Sequence, residues 1–323
     1  MSCRMSPALA LALAALFSAG TALAQQPYPN RPVRLVIPFP AGGNVDVFSR
    51  VLFRQVEAEL GATFVIDNRG GANGIVAADT VRSAAPDGYT VMNTSFSFAV
   101  NPAIVKRLPY DVVRDFTPIT NVATGLGYLL VVHPSVPAKN TAELIEVARK
   151  QSLRYSTAGI GNGQHLAGAL LANMTKTDLL HVPYKGGGPA MTAVLGGEVQ
   201  IHFPAASVGL PHAKAGRVRS IAFTGAKRLA NLPDLPTVGE TVPGYVSDAG
   251  WHGMFGPPRL PAAITNRLQQ AVHKALQEPK VNAHFVDNGY EPNGDRPEVW
   301  AAKFREDVKR FAAIAKAAGI EPQ

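Results

Sequence analysis

One cysteine, Cys3, occurs in 323 residues, which excludes a disulfide framework and a cysteine-based zinc site. Long apolar runs are also missing. The longest, Ala8 to Phe17, has about ten residues, and no later stretch reaches the roughly twenty that a membrane-spanning helix needs. With Arg4 ahead of it and Ala22-Leu23-Ala24 behind, that run reads as the core of a secretory signal peptide, residues 1–24, cleaved after Ala24. Cleavage removes Cys3, which precedes the apolar run and is badly placed for a lipid anchor. The mature chain then starts at Gln25, and an exported chain without cysteine suits a bacterial periplasm. Charge runs are missing too. The formal charge is +8, but Lys and Arg are spread out with no interleaved aromatics. A nucleic-acid face is therefore not expected, and what remains is a weak pull on anions, or charge that serves solubility alone.

What is present is ordinary globular composition, 46% apolar and 17% charged, arranged as short β-branched runs alternating with helical patterns. Val33-Phe39, Thr63-Asp67, Tyr89-Thr94, Tyr128-His133, Arg154-Thr157, Leu179-Pro183, Val199-Phe203 and Val218-Thr224 read as buried strands. The alternation predicts an α/β protein with mostly parallel sheets. Asn140 with Glu143 predicts a capping box for a helix over Thr141-Lys150, and Pro261 and Pro297 sit where a first-turn proline is tolerated. Trp300, Phe304, Val308 and Phe311 form one apolar stripe on the last helix, a core-packing pattern. There is no internal repeat or long linker, so two domains would have to be joined by crossing strands.

Ligands of open α/β sheets sit beyond the strand ends, where loops enter helix N-termini. Three such loops here are rich in glycine. Pro40-Ala41-Gly42-Gly43-Asn44 follows the first strand, with Asn44 read as N-cap and Asp46 in the first turn. Asn68-Arg69-Gly70-Gly71-Ala72-Asn73-Gly74 follows the second. Ala158-Gly159-Ile160-Gly161-Asn162-Gly163 precedes a helix opening at Gln164 or His165. Backbone without Cβ atoms approaches a ligand closely, so these turns are suited to cradling an anion. None fits a dinucleotide or P-loop fingerprint, and no nucleotide cofactor is expected. Asp46 either offsets the helix dipole, the commoner case, or touches a ligand. Arg69 is a surface arginine or a bidentate partner for a carboxylate. Lys185 is a counter-ion or, more commonly for its position, a solvated lysine.

Catalytic signals are weaker. Ala205-Ala206-Ser207-Val208-Gly209 departs by one residue from a nucleophile elbow, and Asp234 or Asp248 with His273 or His284 would complete the order of an exported serine hydrolase. Pro204 and the missing oxyanion segment oppose that alternative. No metal is expected from histidines so scattered. His133, His181 and His202 read as satisfied fold residues, and His165 as a helix-start hydrogen-bond partner.

The segments "YPNRPVRLVIPFPAGGNVDVFSR", "VIDNRGGANG", "AAPDGYTVM", "LPYDVVRDFTPIT", "GNGQHLAGALL", "HVPYKGGGPAMTAVLGGEVQ" and "LPDLPTVGE" occur in that order along nearly the whole mature chain. Together they resemble the periplasmic solute receptors of tripartite tricarboxylate transporters, the Bug proteins. The resemblance implies a type II-like, two-lobed Venus flytrap with two crossing strands, lobe 1 over 25–122 and 227–323 and lobe 2 over 123–226. It implies no catalysis and no cofactor. It further implies a monomer that captures a small organic carboxylate, whether dicarboxylate, tricarboxylate, amino acid or aromatic acid, and passes it to a two-subunit membrane transporter. Carried over by position, the ligand site comprises Phe39, Ala41, Gly42, Asn44, Asp46, Gly74 and Ser95 on lobe 1, and Thr157, Ala158, Gly159, Gly163, His165, Ala205, Ala206 and Ser207 on lobe 2. Val45, Gly70 and Asn73 depart from the family pattern.

Overall fold

Two sheets organise the chain, which changes sheet twice. A computed structural model describes residues 28–71 and 74–317, with Pro322. The signal-peptide reading, Cys3 and the Ala72-Asn73 pair lie outside the described residues. The first sheet contains β1 (Val33–Ile37), β2 (Phe64–Asn68), β3 (Thr90–Ser95), β4 (Thr117–Gly125), β10 (Gly250–Gly256) and β11 (Tyr290–Pro292), in the order β11-β4-β10-β3-β1-β2. The second contains β5 (Leu129–Val132), β6 (Leu153–Thr157), β7 (Leu179–Pro183), β8 (Ile201–His202) and β9 (Arg219–Phe223), in the order β7-β6-β8-β5-β9.

All eight expected strands are present, with ends that agree or differ by one or two residues, and β4, β10 and β11 are additional. The expectation of mostly parallel sheets needs correction. β1 pairs in parallel with β2 and β3, and β6 with β7 and β8. In contrast, β10 runs antiparallel to β3 and β4, β11 to β4, and β5 to β8 and β9. Parallel neighbours require a crossover that returns over the same sheet. The connections β4 to β5 and β9 to β10 instead change sheets, so nothing holds those strands to the parallel direction.

The helices are α1 (Asn44–Leu60), α2 (Ile75–Arg82), α3 (Ser97–Ile104), α4 (Thr141–Lys150), α5 (Gly163–Thr175), α6 (Gly187–Leu195), α7 (Ala206–Lys214), α8 (Ala262–Gln277), α9 (Pro279–Asp287) and α10 (Pro297–Ala317). At α4, Asn140 accepts the Glu143 N–H at 2.9 Å as expected, while Glu143 reaches back to the Lys139 N–H at 2.7 Å, one residue beyond the standard box. The stripe on α10 is core: Trp300 and Phe304 are buried against Trp251, Phe255 and Phe98. Gly253 makes room for it, since a Cβ there would lie 2.4 Å from Trp300.

The two sheet changes run side by side. Tyr128 donates its N–H to Thr224 Oγ1 at 2.7 Å, and Thr224 returns its N–H to the Tyr128 carbonyl at 2.8 Å. Gly127 lies so close to Gly225 that a Cβ on it would stand 2.5 Å from the Gly225 nitrogen. The close approach of the two segments at Gly127 and Gly225 keeps the sheets adjacent and leaves a cleft at their strand ends.

Candidate functional site

Five helices begin at this cleft, each just after a strand: α1 after β1, α2 after β2, α3 after β3, α5 after β6 and α6 after β7. Their first turns wall two adjoining chambers. One, of about 490 Å³ including its open mouth, is lined by Phe39, the Gly43-Asn44-Val45 turn, Ser95, Phe96, Tyr128, Ala158, the Asn162-Gly163-Gln164 turn and Gly187. The other, of about 550 Å³ on the same basis, is lined by Pro38-Phe39-Pro40, Gly71, Gly74, Ser97, Asn101, the Ala158-Gly159-Ile160 turn, Asn162 and Tyr184-Lys185-Gly186. Phe39, Ala158 and Asn162 belong to both walls.

In the Asn44 chamber the N-termini of α1 and α5 face each other from the two lobes. The N–H groups of Asn44, Val45, Gly163 and Gln164 have no hydrogen-bond partner among the described residues. Their neighbours are occupied: Gly42 N–H donates to Asp46 Oδ2 at 2.8 Å, Ala158 N–H to Gln164 Oε1 at 2.7 Å, and His165 N–H to Asn162 Oδ1 at 2.9 Å. Each helix end therefore presents two open donors with the positive end of its dipole behind them. Among the described residues the only titratable side chain lining this chamber is Tyr128, whose phenol is pushed well up by burial and stays neutral. The chamber is electropositive without a formal charge.

Of the expected site residues, Phe39 and Ala158 line both chambers, Asn44, Ser95 and Gly163 line the first, and Gly74 and Gly159 line the second. Ala41 and Gly42 are exposed on the rim. Asp46 is only 2% exposed and takes Gly42 N–H, Arg50 and Asn68, so it braces the first turn. Thr157 is buried; its hydroxyl donates to the Gly159 carbonyl at 3.0 Å and lies 2.6 Å from His181 Nε2. His165 stacks on His181 with centroids 3.9 Å apart, and its Nδ1 accepts the Gly161 N–H. Ala205 and Ala206 are buried beneath Ser207 at the start of α7.

Asn44 corrects the expected N-cap. Gly43 holds the cap position without a side-chain bond, and Asn44 is the first helical residue. Its amide is taken by partners from distant segments: Nδ2 donates to Tyr290 Oη and meets His252 Nε2 at 3.1 Å. Ser207 of the other lobe donates to Asn44 Oδ1 at 3.4 Å. His133 pairs with Ser135 as expected of a satisfied residue. His202 is satisfied only at Nδ1, by Ser156, and its buried Nε2 has no partner among the described residues. Arg69 is tied to Asp67 at 2.8 Å.

The lobes meet around the chambers. A Cβ on Gly186 would lie 2.6 Å from Pro40, one on Gly161 2.5 Å from Ile104, and one on Gly163 2.8 Å from Phe96. Sequence reading left Lys185 between a counter-ion and a solvated lysine and did not name Asn162 or Gln164 as ligand contacts, and all three line the chambers. The glycines beside them were the available signal.

A model of the tripartite tricarboxylate transporter family receptor matches residues 48–320. The chain belongs to this receptor family. It is 30% identical over 299 residues to the protein BugT of Bordetella pertussis, covering 91% of each chain. Among solved structures, the periplasmic binding protein BugD is 33% identical with a TM-score of 0.86, covering 92% of this chain and all of BugD. An R. palustris protein solved with adipate is 32% identical with a TM-score of 0.87, covering 92% of this chain and all of that one. The two-lobed periplasmic-binding fold follows, and with it a solute-receptor role. The hydrolase alternative has no support in this tripartite tricarboxylate transporter receptor. Ser207 faces an amide rather than a histidine, His273 pairs with Gln277, and Asp248 takes the Gly250 N–H.

Proposed function

We propose that this receptor captures a small organic carboxylate between its lobes in the periplasm and delivers it, as a monomer, to a two-subunit membrane transporter, without making or breaking a bond. The observation that carries the reading is the pair of opposed helix N-termini, α1 and α5, with four open N–H donors across a chamber that no acidic side chain lines among the described residues. Such donors suit a carboxylate directly or through water, and neutral partners adapt to several acids. In this reading Phe39, Asn44, Ser95, Ala158 and Gly163 touch the ligand. Gly74 and Gly159 border its far end, and Ala41, Gly42, Asp46, Thr157, His165 and the Ala205-Ser207 turn hold the walls in place.

The lobe division at 25–122 with 227–323, and 123–226, belongs to the same proposal; the sheet changes between Gly125 and Leu129 and between Phe223 and Gly250 support it. Export with cleavage after Ala24 belongs to it as well. Binding draws the lobes together about the paired crossing segments, shifting the population toward closure. The test is the melting temperature of ligand-free mature protein against mono-, di-, tri- and aromatic carboxylates. A ligand specific for the folded form at a hundred times its Kd adds about 2.7 kcal/mol. A saturable rise with one acid class supports the proposal, and no rise with any acid refutes it.

A further inference from the structure

The two chambers differ by one charge. Lys185 is the single ionised side chain lining either of them among the described residues, and no acidic side chain lines either wall. It makes no ion pair or hydrogen bond with any described residue. The root of this lysine is fixed on both sides. Tyr184 N–H donates to the Thr157 carbonyl at 2.9 Å, extending the pairing of β7 with β6, and Gly186, at a φ of +126°, is pressed against Pro40 of the other lobe. Tyr184 Oη donates to Glu198 at 2.8 Å, so that acid already has a partner.

We propose that Lys185 is the counter-ion for a second anionic group, and that the ligand is a dicarboxylate. This deepens the carboxylate reading and rests on it. One carboxylate occupies the Asn44 chamber on main-chain donors. The carbon chain passes the shared wall of Phe39 and Ala158, whose apolar surface suits methylenes, and the second carboxylate meets the Lys185 ammonium at the lobe junction. A monocarboxylate with an apolar tail would bring methylenes against a strongly hydrated ammonium, which favours nothing at that end.

The experiment is calorimetric titration of ligand-free mature protein with unbranched dicarboxylates of four to eight carbons and with the monocarboxylate of each length. Wild type, Lys185→Gln and Lys185→Arg are compared, and a melting curve checks each fold. A charge-assisted contact carries about tenfold or more in affinity. Wild type is expected to prefer at least one dicarboxylate over its matched monocarboxylate by about that factor. Lys185→Gln should lose the preference while leaving monocarboxylate affinity within about twofold, and Lys185→Arg should retain most of it. Equal affinity for the two series, or equal losses for both in Lys185→Gln, overturns the role of Lys185 and leaves the carboxylate reading standing. Failure of both series to bind wild type overturns both.

Discussion

Lowering the pH from 7 to 5 should destabilise this receptor through two histidines sealed from water. His202, on β8, is fully buried and burial holds its pKa down to about 4. His252, on β10, is 1% exposed and burial holds it down to about 3. In the unfolded chain each titrates near 6.5. The unfolded state therefore binds more protons at acid pH, so a depressed histidine leaves stability unchanged above 6.5. The loss grows as pH falls from 6.5 toward 4 for His202 and toward 3 for His252. At pH 5, 1.5 units below the unfolded value, about 1.36 kcal/mol per unit gives roughly 2 kcal/mol for each histidine. About 4 kcal/mol for the pair is an upper limit, and it is a large part of a typical stability of 5–15 kcal/mol. Carboxylates titrate mostly below this window. His165 and His181, also held down by burial, are half-buried and add a smaller loss of the same sign. The assay is urea unfolding of wild type, His202→Gln and His252→Gln at pH 7, 6 and 5. Wild type should lose stability steeply, and each variant should lose about 2 kcal/mol less between pH 7 and 5. A flat wild-type profile, or variant slopes equal to wild type, refutes the reasoning.

Gly163→Val places a side chain where even a Cβ would lie 2.8 Å from Phe96 of the other lobe, as well as 2.3 Å from Tyr128 Oη within its own. It should weaken carboxylate binding by about tenfold or more while the circular dichroism spectrum is unchanged; native affinity would show that the lobes need not come this close. Asp46→Ala strips the Gly42 N–H, Arg50 and Asn68 of their shared acceptor. It should lower unfolding free energy by about 2–3 kcal/mol in urea titrations, and a loss below half a kcal/mol would contradict a bracing role. Ser207→Ala removes one hydrogen bond between the lobes, at 3.4 Å. In stopped-flow displacement the ligand should leave a few-fold faster with little change in melting temperature, and an unchanged rate would exclude this bond from closure.

The parallel half of each sheet was legible because its strands are short β-branched or apolar runs such as β1, Val-Arg-Leu-Val-Ile, four of whose five residues are buried, and because glycine-rich turns follow several of them. Of the antiparallel strands, β5 and β9 were legible as well, but β4, β10 and β11 were not. β10 reads Gly-Trp-His-Gly-Met-Phe-Gly, with all seven residues buried, and its glycines serve packing against Trp300 and Phe96 rather than a turn. β4 carries Pro118 and four polar residues among nine, and its strand character comes from β10 and β11 on either side. Asn44 shows the limit of local reading most clearly. Ser, Asp and Asn before a helix signal a cap, but its actual partners, His252 and Tyr290, lie 208 and 246 residues along the chain. The glycine turns announced the cleft. Which residues meet across it, Pro40 with Gly186 or Gly161 with Ile104, only the lobe arrangement reveals.

The glycines where the lobes touch act as hard stops. At Gly161, Gly163 and Gly186 even one methyl group would collide with the opposite lobe, so in the proposed closure the lobes would come to a single fixed separation rather than a range of elastic ones. Closing in that way, the receptor would work as a gauge: a molecule slightly too large would hold the jaws ajar, and one too small would let them shut on a void. A membrane partner that docks only to the fully shut outline would learn from shape alone whether the right cargo is inside.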